Sequence, residues 1–106
     1  KNAVINSNEG DTILTLKQLT PVRLIKNNFY KQVQDAENKG ASVEELKSLL
    51  GRARAKKGMF EGQLDEGELE IGQVGANVIN ILPAAKIVDE VWQGFKEALA
   101  NPIKMT

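Results

Sequence analysis

The chain has 106 residues, 42% of them hydrophobic, and its 14 basic and 14 acidic side chains cancel to a net charge of zero. That length supports one modest core, and the charge balance gives no drive toward nucleic acid or a membrane surface. With no cysteine and no histidine, the chain can form no disulfide, thiolate nucleophile, thiolate- or imidazole-ligated metal centre or Ser/His/Asp triad.

No apolar run reaches the roughly 20 residues of a membrane helix, and no charged start leads into an apolar stretch. A soluble, cytoplasmic protein is the expectation. Lys1 to Ser7 reads as the end of an element already under way, so the chain is expected to be a piece of a longer protein.

Asp11-Thr12-Ile13-Leu14-Thr15-Leu16 alternates and is rich in β-branched residues, which predicts a short strand entered through the turn Asn8-Glu9-Gly10. After Pro21, Val22 to Ile25 predicts a second strand. Ile25, Phe29, Val33 and Ala36 then continue at helical spacing, so the change from strand to helix falls near Lys26. Arg23 and Asn27 are expected to hold that junction by hydrogen bonds. The helix runs to Lys39 and stops at Gly40. Ser42-Val43-Glu44-Glu45 is a capping box that opens the next helix, whose apolar face is Leu46, Leu49 and Leu50 and whose end is Gly51.

From Gly51 to Gly72 the apolar period is lost. This stretch is expected to be mainly loop, with one helical turn through Arg52 to Lys57. Ile71, Val74, Val78 and Ile81 return to helical spacing, with Gly72 and Gly75 baring part of one face. Pro83 suits the first turn of a last helix. That helix carries one wide apolar stripe, Ile87, Val88, Val91, Trp92, Phe95 and Leu99, opposite Asp89, Glu90, Gln93 and Lys96. Fully burying such side chains is worth about 1.5 to 3 kcal/mol each, and the rest of the chain offers few partners of that size. Part of the stripe is expected to cover another domain.

Four clusters each admit two readings. Arg52, Arg54, Lys56 and Lys57 either hold a phosphate or form a solvated helix end favoured by the dipole. The carboxylates of Asp65, Glu66, Glu68 and Glu70 either bind a cation, without the EF-hand spacing, or form an acidic approach to the following helix. Gly72-Gln73-Val74-Gly75 at a helix start either presents free amides to a ligand, with Gln73 able to donate and accept, or only lets helices pack closely. Within Gly58-Met59-Phe60-Glu61-Gly62, the two large apolar residues either close over an apolar substrate or tuck Phe60 into the core.

Asp11-Thr12-Ile13-Leu14-Thr15, Pro21-Val22-Arg23-Leu24-Ile25-Lys26-Asn27, Gly51-Arg52-Ala53-Arg54, Lys57-Gly58-Met59-Phe60-Glu61-Gly62 and Gly67-Glu68-Leu69-Glu70-Ile71-Gly72-Gln73, in that order, resemble one family. It is the nitronate monooxygenase (2-nitropropane dioxygenase) and flavin-type enoyl-acyl-carrier-protein reductase group, in its C-terminal portion. In that family a (β/α)8 TIM barrel binds FMN. The segment resembled here follows the last barrel strands, forms a small lid and returns as a helix on the barrel.

The resemblance implies a mostly α fold with a short β hairpin or strand pair. Residues 1–83 would be the lid on the substrate side, and 84–106 the C-terminal helix. The flavin phosphate contacts and the catalytic residues would lie before Lys1, so no catalytic residue and no metal ligand is expected within the chain. On its own it is expected to bind no cofactor and to be inactive. Gly72 and Gln73 would face the flavin side of the cleft, and Met59 and Phe60 would lie near its mouth. Arg52 and Arg54 would meet the phosphate of a nicotinamide cofactor or of the acyl-carrier arm.

The parent would then be an enoyl reductase of fatty-acid synthesis, passing hydride from NAD(P)H through FMN to an enoyl thioester. The alternative within the family oxidises alkyl nitronates with oxygen. The implied partners are the flavin-binding barrel of the same chain, an acyl-carrier-protein thioester or small nitronate, and a second copy in a homodimer, with neither nucleic acid nor membrane. A different class is a free-standing helical interaction module without chemistry, for which the apolar stripe is the interface.

Overall fold

A computed structural model describes residues 1–104; Met105 and Thr106, the last two of the predicted segment 84–106, lie outside the described residues. The architecture is mostly helical around a two-stranded antiparallel sheet, as expected. Strand β1 (Thr12–Thr15) pairs with β2 (Val22–Ile25) in the register Thr12 to Ile25 through Thr15 to Val22. The loop between them begins at Leu16, which takes the left-handed conformation at φ 54°. A bulky residue pays strain for that conformation. Here the side chain is buried in the core, the carbonyl accepts from Leu19, and the amide donates to Glu37 Oε1 at 3.1 Å.

Helix α2 (Asn28–Asn38) is capped by Asn27, whose Oδ1 accepts from the Tyr30 amide at 2.9 Å. Asn27 therefore holds the strand-to-helix junction as expected. Arg23 does something else: its guanidinium reaches across the sheet to the carbonyl and hydroxyl of Thr12 at 3.3 Å. At the far end of α2 the chain leaves through Gly40 at φ 75°, one residue beyond the cap Lys39. The capping box forms in full, with Glu45 N donating to Ser42 Oγ at 3.2 Å and Ser42 N to Glu45 Oε2 at 2.7 Å. It opens α3 (Val43–Leu50), which ends at Gly51 with φ 66°. Leu16, Leu24, Phe29 and Val33 form the core, and Leu19, Val22, Leu49 and Leu50 pack against it.

Beyond Gly51 the structure departs from the sequence expectation in two places. The helical turn expected through Arg52 to Lys57 forms as α4 (Arg54–Met59), but the stretch read as loop beyond it holds a strap, residues 63–71, that docks on the free edge of β2. The Ile25 amide donates to the Leu69 carbonyl, and the Ile71 amide to the Arg23 carbonyl. Leu24 and Glu70 face each other across this added rung. The end of the acidic run is thus a short edge segment of the sheet, and it leads past Gly72 into a 3-10 helix rather than the regular helix expected.

The second correction concerns Ile71, Val74, Val78 and Ile81. Their helical spacing is realised only as a 3-10 helix at Gln73–Asn77, after which Val78 is extended. Ile71 is committed to the sheet edge and so lies outside the helix, and Gly72 and Gly75 lower the helical propensity of the segment that follows.

The chain begins with a single helical turn, α1 (Asn2–Ile5), which packs against the 3-10 helix, and ends in α5 (Ala84–Ala100), a 17-residue helix. Every residue of α5 is exposed. A compact chain of this length has a radius of gyration of about 13 Å; here it is 18.0 Å, with extents of 54 × 37 × 20 Å. The excess reflects a long helix standing off a small core.

Candidate functional site

Arg54 is the organising side chain around the strap. Its Nε donates to the Leu50 carbonyl at 3.1 Å, one terminal nitrogen to Leu49 at 2.7 Å and the other to Glu66 at 2.9 Å. The guanidinium lies 4.6 Å from the centre of the Phe29 ring. One planar fork therefore ties the end of α3, the start of α4 and the strap to the core. Its three nitrogens are each engaged with main-chain carbonyls, a structural use that the sequence reading of a phosphate contact did not foresee.

Arg54→Lys is expected to lower the stability of the chain by about 2 kcal/mol, because an ammonium can neither span three carbonyls nor stack on the ring. A urea midpoint unchanged from the parent chain would refute that assignment.

Arg52 is exposed, as are Lys56 and Lys57 in the last turn of α4. Lys56 lies 3.7 Å from Glu61, with both side chains largely in solvent, so the pair adds little to stability. The basic cluster does not converge: Arg54 faces inward while Arg52 faces solvent. For Lys56 and Lys57, the solvated helix end is what forms.

Met59 ends α4 and Phe60 caps it, 82% exposed. The core reading of Phe60 is overturned. The residue that goes inside at this point is Gly58, which is buried against the strap: a Cβ on it would come within 2.7 Å of the Glu68 carbonyl oxygen. Close backbone approach pushes the following side chain outward. Met59, Phe60 and Leu64 all remain exposed, leaving several large apolar side chains at this end of the strap.

Gly72 caps the 3-10 helix at φ −75°, and a Cβ there would touch nothing within 4 Å. Neither backbone conformation nor packing within the chain calls for glycine at this position. Gly75 differs, since a Cβ on it would run into the Ile71 side chain. Gln73 is exposed and lines an open cleft of about 420 Å³ with Asn8, Glu9, Gly10, Thr12, Val74, Ala76 and Asn77. The cleft has amide side chains from two parts of the chain, brought together by the packing of α1 on the 3-10 helix. The Met59–Phe60 tip does not contribute to it.

Of the four carboxylates in the acidic run, Glu68 is the one that goes inside, which the sequence reading did not foresee. It is 6% exposed, and its amide donates to the Arg54 carbonyl. Burial, together with the neighbouring Glu70 carboxylate and a hydrogen bond to it, pushes the Glu68 pKa from 4.5 to about 7, against the pull of the Arg54 guanidinium. Among the described residues no group of acidic side chains is arranged to hold a metal ion, and no helix is long and apolar enough to cross a membrane.

The second surface of note is α5. Ile87, Val88, Val91, Trp92 and Phe95 line a shallow apolar trough, with the Trp92 and Phe95 rings stacked at 5.4 Å. A smaller apolar recess formed by Val4, Ile5, Val78, Ile81, Leu82 and Ile87 continues it toward α1.

No known family profile and no curated protein matches the chain. Its fold does match solved structures. FabK from Thermotoga maritima superposes with a TM-score of 0.81 at 23% identity, over 94% of this chain and 32% of that one. A point mutant of the same protein gives 0.71 at 20% identity, over 94% and 29%. The chain thus spans about a third of the length of these structures. At this identity the likeness shows fold alone: this chain has the fold of part of FabK.

Proposed function

We propose that the chain is the lid and C-terminal helix of an FMN-dependent enoyl-acyl-carrier-protein reductase of fatty-acid synthesis. The observation that carries this reading is the superposition of 94% of the chain on a third of FabK, a flavin-type enoyl reductase. The exposed face of α5 supports it. Six large apolar side chains on one face, with none buried, are more than a free-standing surface tolerates.

In this reading residues 1–83 form the lid on the substrate side, and 84–106 return to a flavin-binding barrel in the same parent protein. The chemistry supplied by FMN bound in that barrel is hydride relay from NAD(P)H to the enoyl thioester. This chain supplies none of the reacting groups. The open flank of Gly72 and the exposed amide of Gln73 suit a wall facing the flavin side of the cleft. The Met59–Phe60 tip offers apolar surface at the mouth to an acyl chain. Arg52, with its charge free in solvent, is a better partner for an incoming phosphate than Arg54, whose nitrogens are engaged.

The test is steady-state turnover of the full-length parent, with a crotonyl thioester and NAD(P)H in one assay and propyl nitronate and oxygen in the other. Thioester reduction is expected. Activity on the nitronate alone would move the protein to the monooxygenase branch, and a parent without flavin would leave a helical interaction module. Gly72→Leu in the parent is expected to weaken flavin retention at least tenfold. The same change in the 106-residue chain is expected to alter stability by less than about 0.5 kcal/mol, since the site is open.

A further inference from the structure

The cleft beside Gln73 has two walls, and both are tied to the sheet. One is the turn Asn8 to Gly10: the Asn8 amide donates to Asp11 Oδ2 at 2.7 Å, and the Asp11 carbonyl accepts from Lys26, the residue after β2, at 3.0 Å. The other is the 3-10 helix, which follows Ile71, whose amide donates to the Arg23 carbonyl at 3.1 Å. Gly75 lets that helix sit down on the Ile71 side chain. Thr12, paired with Ile25 in the sheet, completes the lining. The cleft is therefore set before any ligand arrives, which lowers the ordering cost of binding.

Its chemistry is that of side chains, not of the amides of a short helix. Asn8, Gln73 and Asn77 each offer a carboxamide, which donates and accepts, and Thr12 offers a hydroxyl. Arg23 Nη1 donates to that hydroxyl at 3.3 Å, so the hydroxyl proton is left for another acceptor. Among the described residues the only other side-chain bond of the lining is a long one, Asn8 Nδ2 to the Asn6 carbonyl at 3.5 Å, which leaves the capacity of Gln73 and Asn77 unused.

Among the described residues the one charge in the lining is the Glu9 carboxylate, and no lysine, arginine or aromatic ring stands there. A phosphate or carboxylate would meet repulsion, and a flat ring would find nothing to stack on. No group of acidic side chains is present to hold a cation. What fits is a flexible neutral chain that carries amides of its own, matched by the carboxamides of the protein. The volume, about 420 Å³, is within the range of small-molecule sites.

We propose that this cleft binds the neutral, amide-bearing pantetheine section of the substrate's carrier arm, through the side chains of Thr12, Gln73 and Asn77. The inference rests on the reductase reading, in which the substrate is a thioester on such an arm. It adds where the arm lies: its amides run along the cleft, and its thioester end emerges beside Gly72, at the wall that faces the flavin in that reading. The phosphate at the other end stays outside, away from Glu9.

Turnover of the full-length parent on crotonyl-pantetheine and on S-ethyl thiocrotonate, which has the same reacting carbons and no amide, reads this. In Asn77→Leu the ratio of kcat/KM for the first over the second is expected to fall about tenfold, through KM, and Thr12→Val is expected to act in the same direction. Asn77 is exposed and valine suits a strand, so both variants are expected to fold. An unchanged ratio in both, from a parent that reduces both thioesters, overturns the proposal. Binding is read directly at the side-chain amide resonances of Asn8, Gln73 and Asn77 in the parent, with pantetheine, nicotinamide and inorganic phosphate added in turn. Shifts with pantetheine alone are expected, and shifts with nicotinamide but not pantetheine overturn the proposal. A parent that reduces neither thioester fails the reductase reading, and the pantetheine titration then decides the cleft by itself: no shift overturns the site, and a shift upholds it without the reaction.

Discussion

Gly67→Ala is expected to unseat the strap and to destabilise the chain by about 3 kcal/mol or more, at the top of the range for overpacking. The new methyl would land on the Cα and nitrogen of Gly58 and close to the carbonyl oxygen of Gln63. All of these are backbone atoms, so no change of rotamer relieves the clash.

Separation of the two segments breaks several contacts at once. Asn27 Nδ2 loses the Gly67 carbonyl at 2.8 Å, and the Ile25–Leu69 and Ile71–Arg23 bonds go with it. Gly58→Ala is expected to cost less than Gly67→Ala, because part of its clash is with the Leu69 side chain, which can turn away. Urea unfolding followed by far-UV circular dichroism gives both midpoints. A Gly67→Ala midpoint equal to that of the parent chain would mean that the two glycines do not interlock.

What was legible in the sequence was local. Ser42 and Glu45 stand three apart, and Gly40 and Gly51 lie just beyond periodic apolar residues. Each signal is complete within a few positions, and each formed as read. The two strands were legible for the same reason, although Leu16 leaves β1 early for a left-handed turn that a leucine does not advertise.

The strap was not legible. Its residues next to β2 are Glu68, Leu69, Glu70 and Ile71, in which two carboxylates conceal the alternation of an edge segment. Its pairing partner lies more than 40 residues earlier. Arg54 was read as a surface cation because its partners are main-chain carbonyls, which leave no mark in the side-chain pattern. The same limit applies to the candidate site. Gly72 and Gln73 drew notice as helix-start residues, but the cleft beside them is completed by Asn8, Glu9 and Thr12, about 60 residues away. The stripe on α5 was legible as a stripe. What it covers could be read only as a resemblance, since none of its six apolar side chains is buried within the described chain.

Phe29→Ala is expected to unfold the chain at room temperature. Phe29 is 0% exposed and belongs to the central cluster of a small core, with Leu16, Leu24 and Val33. Removing a fully buried phenylalanine costs about 3 to 5 kcal/mol through lost transfer energy and the cavity left behind.

Here a second loss is added, because the ring is the floor on which the Arg54 guanidinium rests at 4.6 Å. That contact is worth about 0.5 to 1 kcal/mol at a partly exposed site, and without the ring Arg54 has less to hold it beneath the strap. Phe29→Leu separates the two terms. It keeps most of the buried volume while abolishing the aromatic face, so it is expected to remain folded with a loss of about 1 to 2 kcal/mol. Its strap amides at Glu68 and Ile71 should lose protection more than those of β1. Equal loss at both places would show that Phe29 acts through core volume alone and that Arg54 does not depend on it.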